Sequence, residues 1–209
     1  MKKKSMVLLL IVCVMLPTAL SAAVVDLSLG ATAQYNQTLG QIKDADSFDG
    51  MGDFKKYTLG ADLRVKLLIA EVDVVGTFGN YTDEVTLDEY TEISALTTAG
   101  ISMDLLGFMR LGFGMGPRFR VLIDDAGKAN IIAADGSGVD SWQNFGDAFV
   151  QSPVAVRATV DFNLGNIMLG LNYTLDTEYT FKNAAEVNKL FSGDLDNGKV
   201  GVSLLFSLF

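Results

Sequence analysis

Strict alternation of apolar with small polar residues recurs in eight separate segments of this 209-residue chain, and no other feature limits its fold so sharply. A period of two places the apolar set on one face of a β-strand. Although 49% of the residues are hydrophobic, no uninterrupted run of the ~18 apolar residues that a spanning helix needs occurs beyond the N-terminal segment. The first strand runs from Val25 to Tyr35, with Val25, Leu27, Leu29, Ala31, Ala33 and Tyr35 opposing Ser28, Gly30, Thr32 and Gln34. The second spans 57–67 and carries Asp62, Arg64 and Lys66 on its polar face; the third, 70–78, carries Glu71 and Asp73. Strands at about 94–105 and 109–120 add Asp104, then Arg110, Arg118 and Arg120. Those at about 154–162, 167–176 and 199–206 complete the set, with Arg157 and Asp161 on the polar face of the sixth. Each is near the ~9–11 residues a tilted strand needs to cross a bilayer, and an even count puts both ends on one side.

Alternation does not say which face looks outward, so a soluble, lipocalin-like carrier with an apolar interior is the competing arrangement. Three features favour the reverse. The polar face is dominated by Gly, Ser and Thr, which suits a crowded lumen better than a solvated surface. Connections alternate between short ones near Leu68, Gly107 and Leu164 and long ones at 36–54, 80–93, 121–152 and 177–198, the asymmetry of periplasmic turns and surface loops. Aromatics gather at strand ends, with Tyr35, Tyr57 and Tyr81 toward the long loops and Phe108, Phe162 and Phe209 toward the turns, as interfacial girdles do.

The chain opens with Lys2, Lys3 and Lys4, an apolar stretch from Met6 to Leu16 and a small-residue exit from Pro17 to Ala23, the pattern of a secretory signal. The expected division is a signal peptide at 1–22 and a single barrel domain at 23–209. Cys13 lies inside the apolar stretch, so the mature chain has no cysteine and no disulfide. Removal of three lysines takes 16 basic and 25 acidic residues to 13 and 25, a net charge of -12. Most of the carboxylates fall in the four long connections. A chain this acidic lacks the basic footprint that nucleic acid requires.

Register offers a further constraint, because residues on one face must meet across a short turn. If opposite residues of the second and third strands sum to 137, Lys66 faces Glu71, Arg64 faces Asp73 and Val65 faces Val72. A sum of 214 around Gly107 sets Asp104 against Arg110 and Met103 against Leu111. The expectation is inward salt bridges across each hairpin, which would neutralise charge in a lumen where an unpaired ion is costly. Leu68 and Ile69 are poor residues for a tight turn.

The leader, the eight alternating segments, the short-turn and long-loop asymmetry and the terminal Phe209 together resemble the small eight-stranded outer-membrane barrels of the OmpX, OmpA-transmembrane and OmpW type. The resemblance is architectural and covers essentially the whole mature chain. It implies an all-β, eight-stranded antiparallel up-and-down barrel, inserted in the outer membrane by the barrel-insertion machinery, in contact with lipid and monomeric. In the usual closing signature the last aromatic is in phase with apolar residues two and four positions earlier, whereas Ser207 is polar and the apolar phase runs through Val202, Leu204, Phe206 and Leu208. A bulge near Leu205, or tolerance in the assembly machinery, would accommodate this.

Function is constrained chiefly by the absence of histidine. Barrel hydrolases, acyltransferases and proteases use it for proton transfer, so no enzymatic activity, cofactor or catalytic residue is expected. Asp83 with Glu84 and Asp124 with Asp125 read as solvated loop acids. The arginines Arg110, Arg118, Arg120 and Arg157 form either an anion-favouring ladder in a pore or interior ion pairs with Asp104, Asp161 and their neighbours. Five aspartates between Asp124 and Asp147 lack the spacing of an EF-hand, and the expectation is an ordinary acidic loop without metal. That loop also holds Ile131, Ile132, Trp142, Phe145 and Phe149, an apolar content that points to a fold over the mouth, a surface element or a partner contact, with Trp142, Phe145 and Phe149 as contact candidates. The resulting expectation is a structural or surface-interaction role through acidic loops, with a surface ligand or host molecule as partner; the alternative is a narrow OmpW-like channel for small or apolar solutes.

Overall fold

The computed structural model describes residues 25–44, 52–82, 88–134, 138–139, 145–191 and 193–208. The expected signal peptide, Cys13, the Asp83–Glu84 pair, Asp135, Asp140, Trp142 and Phe209 lie outside these residues. In chain order the elements are β1 (Val25–Thr38), α1 (Leu39–Asp44), β2 (Tyr57–Leu67), β3 (Ala70–Thr82), β4 (Glu89–Leu105), β5 (Met109–Ile123), β6 (Ala129–Ile132), β7 (Gly138–Val139), α2 (Phe145–Gln151), β8 (Pro153–Leu164), β9 (Ile167–Thr180) and β10 (Lys199–Ser207). Eight of these strands pair antiparallel in the ring β1-β2-β3-β4-β5-β8-β9-β10, and β10 closes on β1. Every ladder is thereby paired on both sides, as closure demands in a solvent that offers no hydrogen bonds.

Burial is inverted relative to a water-soluble domain. Arg64 and Lys66 are 1% exposed and Asp62 and Asp161 fully enclosed, whereas Leu29, Leu171 and Phe206 are about half exposed. Leu59, Val74, Phe78, Ile101, Phe113 and Leu204 share that outer face. The polar set of the alternation therefore points into the lumen and the apolar set outward, which rules out the lipocalin-like arrangement.

Several strands outrun their alternating pattern at the long-loop end: β3 reaches Thr82, β4 begins at Glu89 and β9 reaches Thr180. Above the lipid band both faces meet water, so the backbone ladder continues where the sequence no longer alternates. Of the two accommodations of the out-of-phase end, the bulge near Leu205 does not form. Leu205 pairs in unbroken register with Gly30 and Met168, and it is fully buried inside the barrel with Met168. The inward phase at this end holds large apolar residues without a break in the ladder.

The turn joining β2 to β3 is only two residues long, with Leu67 opposite Ala70. Leu68 adopts φ of 58°, a left-handed conformation that a side chain resists. Replacing Leu68 by glycine is expected to raise stability by up to about 1 kcal/mol, read as a higher urea midpoint of the refolded barrel; a lower midpoint would show that the exposed leucine side chain itself contributes. The long third connection is not a featureless loop. Its β6 pairs with the upper part of β5, Ile131 opposite Val121, and Val121, Ile131 and Ala148 of α2 form a small apolar core with Phe119, Ile123 and Ala129 around it.

Candidate functional site

Register across the hairpins is the one the sequence implies: Lys66 lies opposite Glu71, Arg64 opposite Asp73 and Val65 opposite Val72, while Asp104 lies opposite Arg110 and Met103 opposite Leu111. The ion pairs follow it in one hairpin, where Arg110 donates to Asp104 at 2.8 Å as expected, and depart from it in the other. Arg64 donates to Asp161 at 2.6 Å and to Asp62 at 3.0 and 3.3 Å, and Lys66 pairs with Asp104. The expected Arg64–Asp73 and Lys66–Glu71 bridges are not those formed. Side chains opposite one another across a hairpin rise in parallel into the lumen, and the long cationic stems reach the far wall of so narrow a barrel. Strands β2 and β8 stand diametrically opposed in the ring, and Asp62 and Arg64 of one meet Arg157 and Asp161 of the other.

Asp62 is the hub of this central layer. One of its oxygens accepts from Arg64 at 3.0 Å, from Arg157 at 2.8 Å and from the Ser203 hydroxyl at 2.8 Å. Arg157 also lies 3.5 Å from Asp73. Nearer the short turns, Arg110 donates to Asp104 at 2.8 Å and to Asp26 at 2.5 Å, and sits 3.9 Å from Glu71. Arg110 faces Asp161 in register, yet Asp161 is taken by Arg64. Toward the long loops, Arg120 grips Glu92 with bonds of 3.0 and 2.9 Å and lies over the Tyr81 ring at 5.3 Å. Arg118 bridges Asp176 at 3.3 Å and Glu92 at 3.5 Å. All four arginines proposed as a ladder are thus ion-paired within the lumen.

Between the central and upper charged layers lies an apolar cluster of Val75, Leu96 and Ala155. Two small lumen cavities of about 10 Å³ each border these layers, a volume that admits at most a single water. Close packing continues to the backbone: a Cβ on Gly170 would stand 2.4 Å from an Asp161 oxygen and 3.4 Å from Arg64. An interior filled in this way leaves little free volume between the central and upper charged layers among the described residues.

Asp26, Glu92, Asp176 and Ser203 belong to the network but were not singled out by sequence. Asp26 and Ser203 are in phase with their strands' polar faces, so period alone would have included them. Asp176 likewise ends the polar face of its strand's alternation, whereas Glu92 stands where the alternation fades. Of the loop candidates, Trp142 is outside the described residues, Phe145 opens α2, and Phe149 stacks on Phe181 with ring centroids 5.9 Å apart, joining the third and fourth long connections. Asp124 accepts the Lys128 backbone N–H at 2.8 Å, and no group of three or more metal-ligating side chains occurs among the described residues. Outside the membrane band, hydrogen bonds to Asp196 and Glu186 hold the Lys43 and Lys189 ammoniums above the ordinary lysine range. At the long-loop end the ends of β1, β3, β9 and β10 surround an open vestibule of about 620 Å³.

No protein-family model and no curated relative matches this chain. Among solved structures, Ail, the attachment invasion locus protein of Yersinia pestis, is 17% identical in its complex with the heparin analogue sucrose octasulfate, with a TM-score of 0.40 over 88% of this chain and 95% of that one. The structure of Ail alone is 16% identical, with the same TM-score and coverage. Neisserial surface protein A is 12% identical, with a TM-score of 0.38 over 88% of this chain and 96% of its own. Closed antiparallel topology, a charged and packed interior and an apolar exterior give the chain the architecture of a small eight-stranded outer-membrane β-barrel.

Proposed function

We propose that the mature protein is a monomeric outer-membrane barrel whose body is a filled anchor and whose work is done by the surface at its long-loop end. The observation that carries this reading is the interlocked interior. Ion pairs at three levels of the lumen, with water-sized voids between the central and upper ones, favour an anchor over a conduit. The segments that project beyond the lipid band, by contrast, build structure of their own: the β6–β7 hairpin and α2 with a private core, and the Phe149–Phe181 contact to the neighbouring connection. A binding surface needs that kind of preorganisation.

Two measurements test the proposal. Expressed with its leader, the protein is expected in the outer-membrane fraction, with a band that shifts on boiling in a denaturing gel, and to give no discrete conductance steps in planar bilayers. Reproducible steps would replace the anchor reading with a channel. Deleting residues 125–148 is expected to preserve the heat-dependent shift while reducing attachment of expressing cells to a surface ligand; unchanged attachment would move the interaction away from the third connection.

A further inference from the structure

We infer that the loop-end vestibule is a binding site for a small, multiply charged anionic sugar, with phosphate or sulfate esters held by Lys55, Lys56 and Lys199. This deepens the surface-interaction reading proposed above and rests on it. The vestibule, about 620 Å³, is lined by the cations Lys55, Lys56, Arg120 and Lys199 and by one carboxylate, Asp176. Such a local excess runs against the net charge of -9 of the whole chain. Internal pairing sharpens it. Arg120 is engaged by Glu92, and Asp176 by Arg118. Elsewhere on the loops Lys43 is engaged by Asp196 and Lys189 by Glu186. Lys55, Lys56 and Lys199 are left facing one cavity with no carboxylate in ion-pair contact among the described residues.

The three lysines are brought together by the fold. Lys55 and Lys56 sit on a short helical turn, Phe54–Lys56, fixed by its cap: the Asp53 side chain accepts the Lys55 backbone N–H at 3.0 Å. Lys199 opens β10 and pairs with Thr38 of β1, so barrel closure delivers it to the same mouth. Amide side chains of Asn36, Gln41, Asn80 and Asn197 complete the wall, and the Asn36 amide donates to the Asn80 carbonyl at 2.9 Å, tying β1 to β3. Ammoniums suit ester oxygens, and amides suit ring hydroxyls; the volume lies within the range of small-ligand sites. A long polyanion fits poorly, since the acidic field of the chain opposes anything extending beyond the mouth.

Asp46, Asp49, Asp83 and Glu84 flank these elements in sequence but lie outside the described residues, and their carboxylates are the natural competitors. The test is calorimetric titration of the refolded mature chain in detergent with inositol hexakisphosphate, and with uncharged inositol as control. Saturable 1:1 binding of the phosphate ester alone is expected, weakening as salt rises. The double variant Lys55→Gln with Lys56→Gln should bind about tenfold more weakly, whereas Lys182→Gln should bind normally. Displacement by micelles of a phosphorylated glycolipid would assign the ester to the membrane's own headgroups; persistence would assign it to a soluble sugar, and the site stands in both cases. Absence of saturable binding, equal loss in Lys182→Gln, or binding that emerges only when the four flanking acids are neutralised would overturn the proposal. The heat-dependent gel shift, measured on each variant, tells such a failure apart from a failure of the barrel reading.

Discussion

Replacing Asp62 by alanine is expected to destabilise the barrel by about 3–5 kcal/mol, the range for stripping one partner from a buried ion pair. The size of the effect follows from geometry. Asp62 is enclosed and serves Arg64 and Arg157 together, with Ser203 donating to the same carboxylate. Its loss leaves Arg64 with Asp161 at 2.6 Å and Arg157 with Asp73 at 3.5 Å, so two guanidiniums that had three nearby carboxylates must share two. Urea unfolding in lipid vesicles, or the temperature at which the compact gel band disappears, reads the change. Coupling Asp62→Asn to Arg157→Gln should recover part of the loss, because the charge imbalance is removed. Wild-type stability in Asp62→Ala would mean that water reaches the central layer and solvates the arginines, and the filled-lumen reading would fall with it.

The second large effect lies on the opposite face of the same wall. Arginine at position 171, where Leu171 is half exposed between Val160 and Val202, is expected to cost about 2–4 kcal/mol in a bilayer. In a water-soluble barrel a charge at so exposed a position would be nearly neutral, so the substitution reports directly on which solvent the outer face meets. Stability is best compared in vesicles, where snorkelling is limited at mid-strand. A vesicle-refolded Leu171→Arg variant as stable as wild type would contradict the membrane-facing assignment of this surface.

Strand existence and hairpin register were legible because both are local consequences of a two-residue period. Shifting β2 against β3 by one position would have driven Arg64 and Lys66 into lipid, and the short turn excludes longer slips, which leaves Val65 opposite Val72. Strand ends at the long-loop side were not legible. There the apolar requirement lapses before the backbone ladder does, and Glu92, the anchor of Arg120, stood beyond the apparent start of its strand. The shape of the third connection was half legible: its apolar residues announced a structured element, but burying Ile131 against Val121 and Ala148 depends on how β6 docks on β5.

The sequence by itself determined that this chain makes eight two-faced strands, how consecutive strands align and that its charged residues inside the strands share one face, because each follows from alternation between neighbours on the chain. Only the tertiary structure decided which charges meet. Arg64 finds Asp161 across 97 positions and Arg110 finds Asp26 across 84, and Lys199 joins Lys55 and Lys56 because β10 closes on β1. The physical reason is the lumen: a closed eight-stranded ring brings diametrically opposite strands within a side chain's length, and no pattern along the chain records that distance.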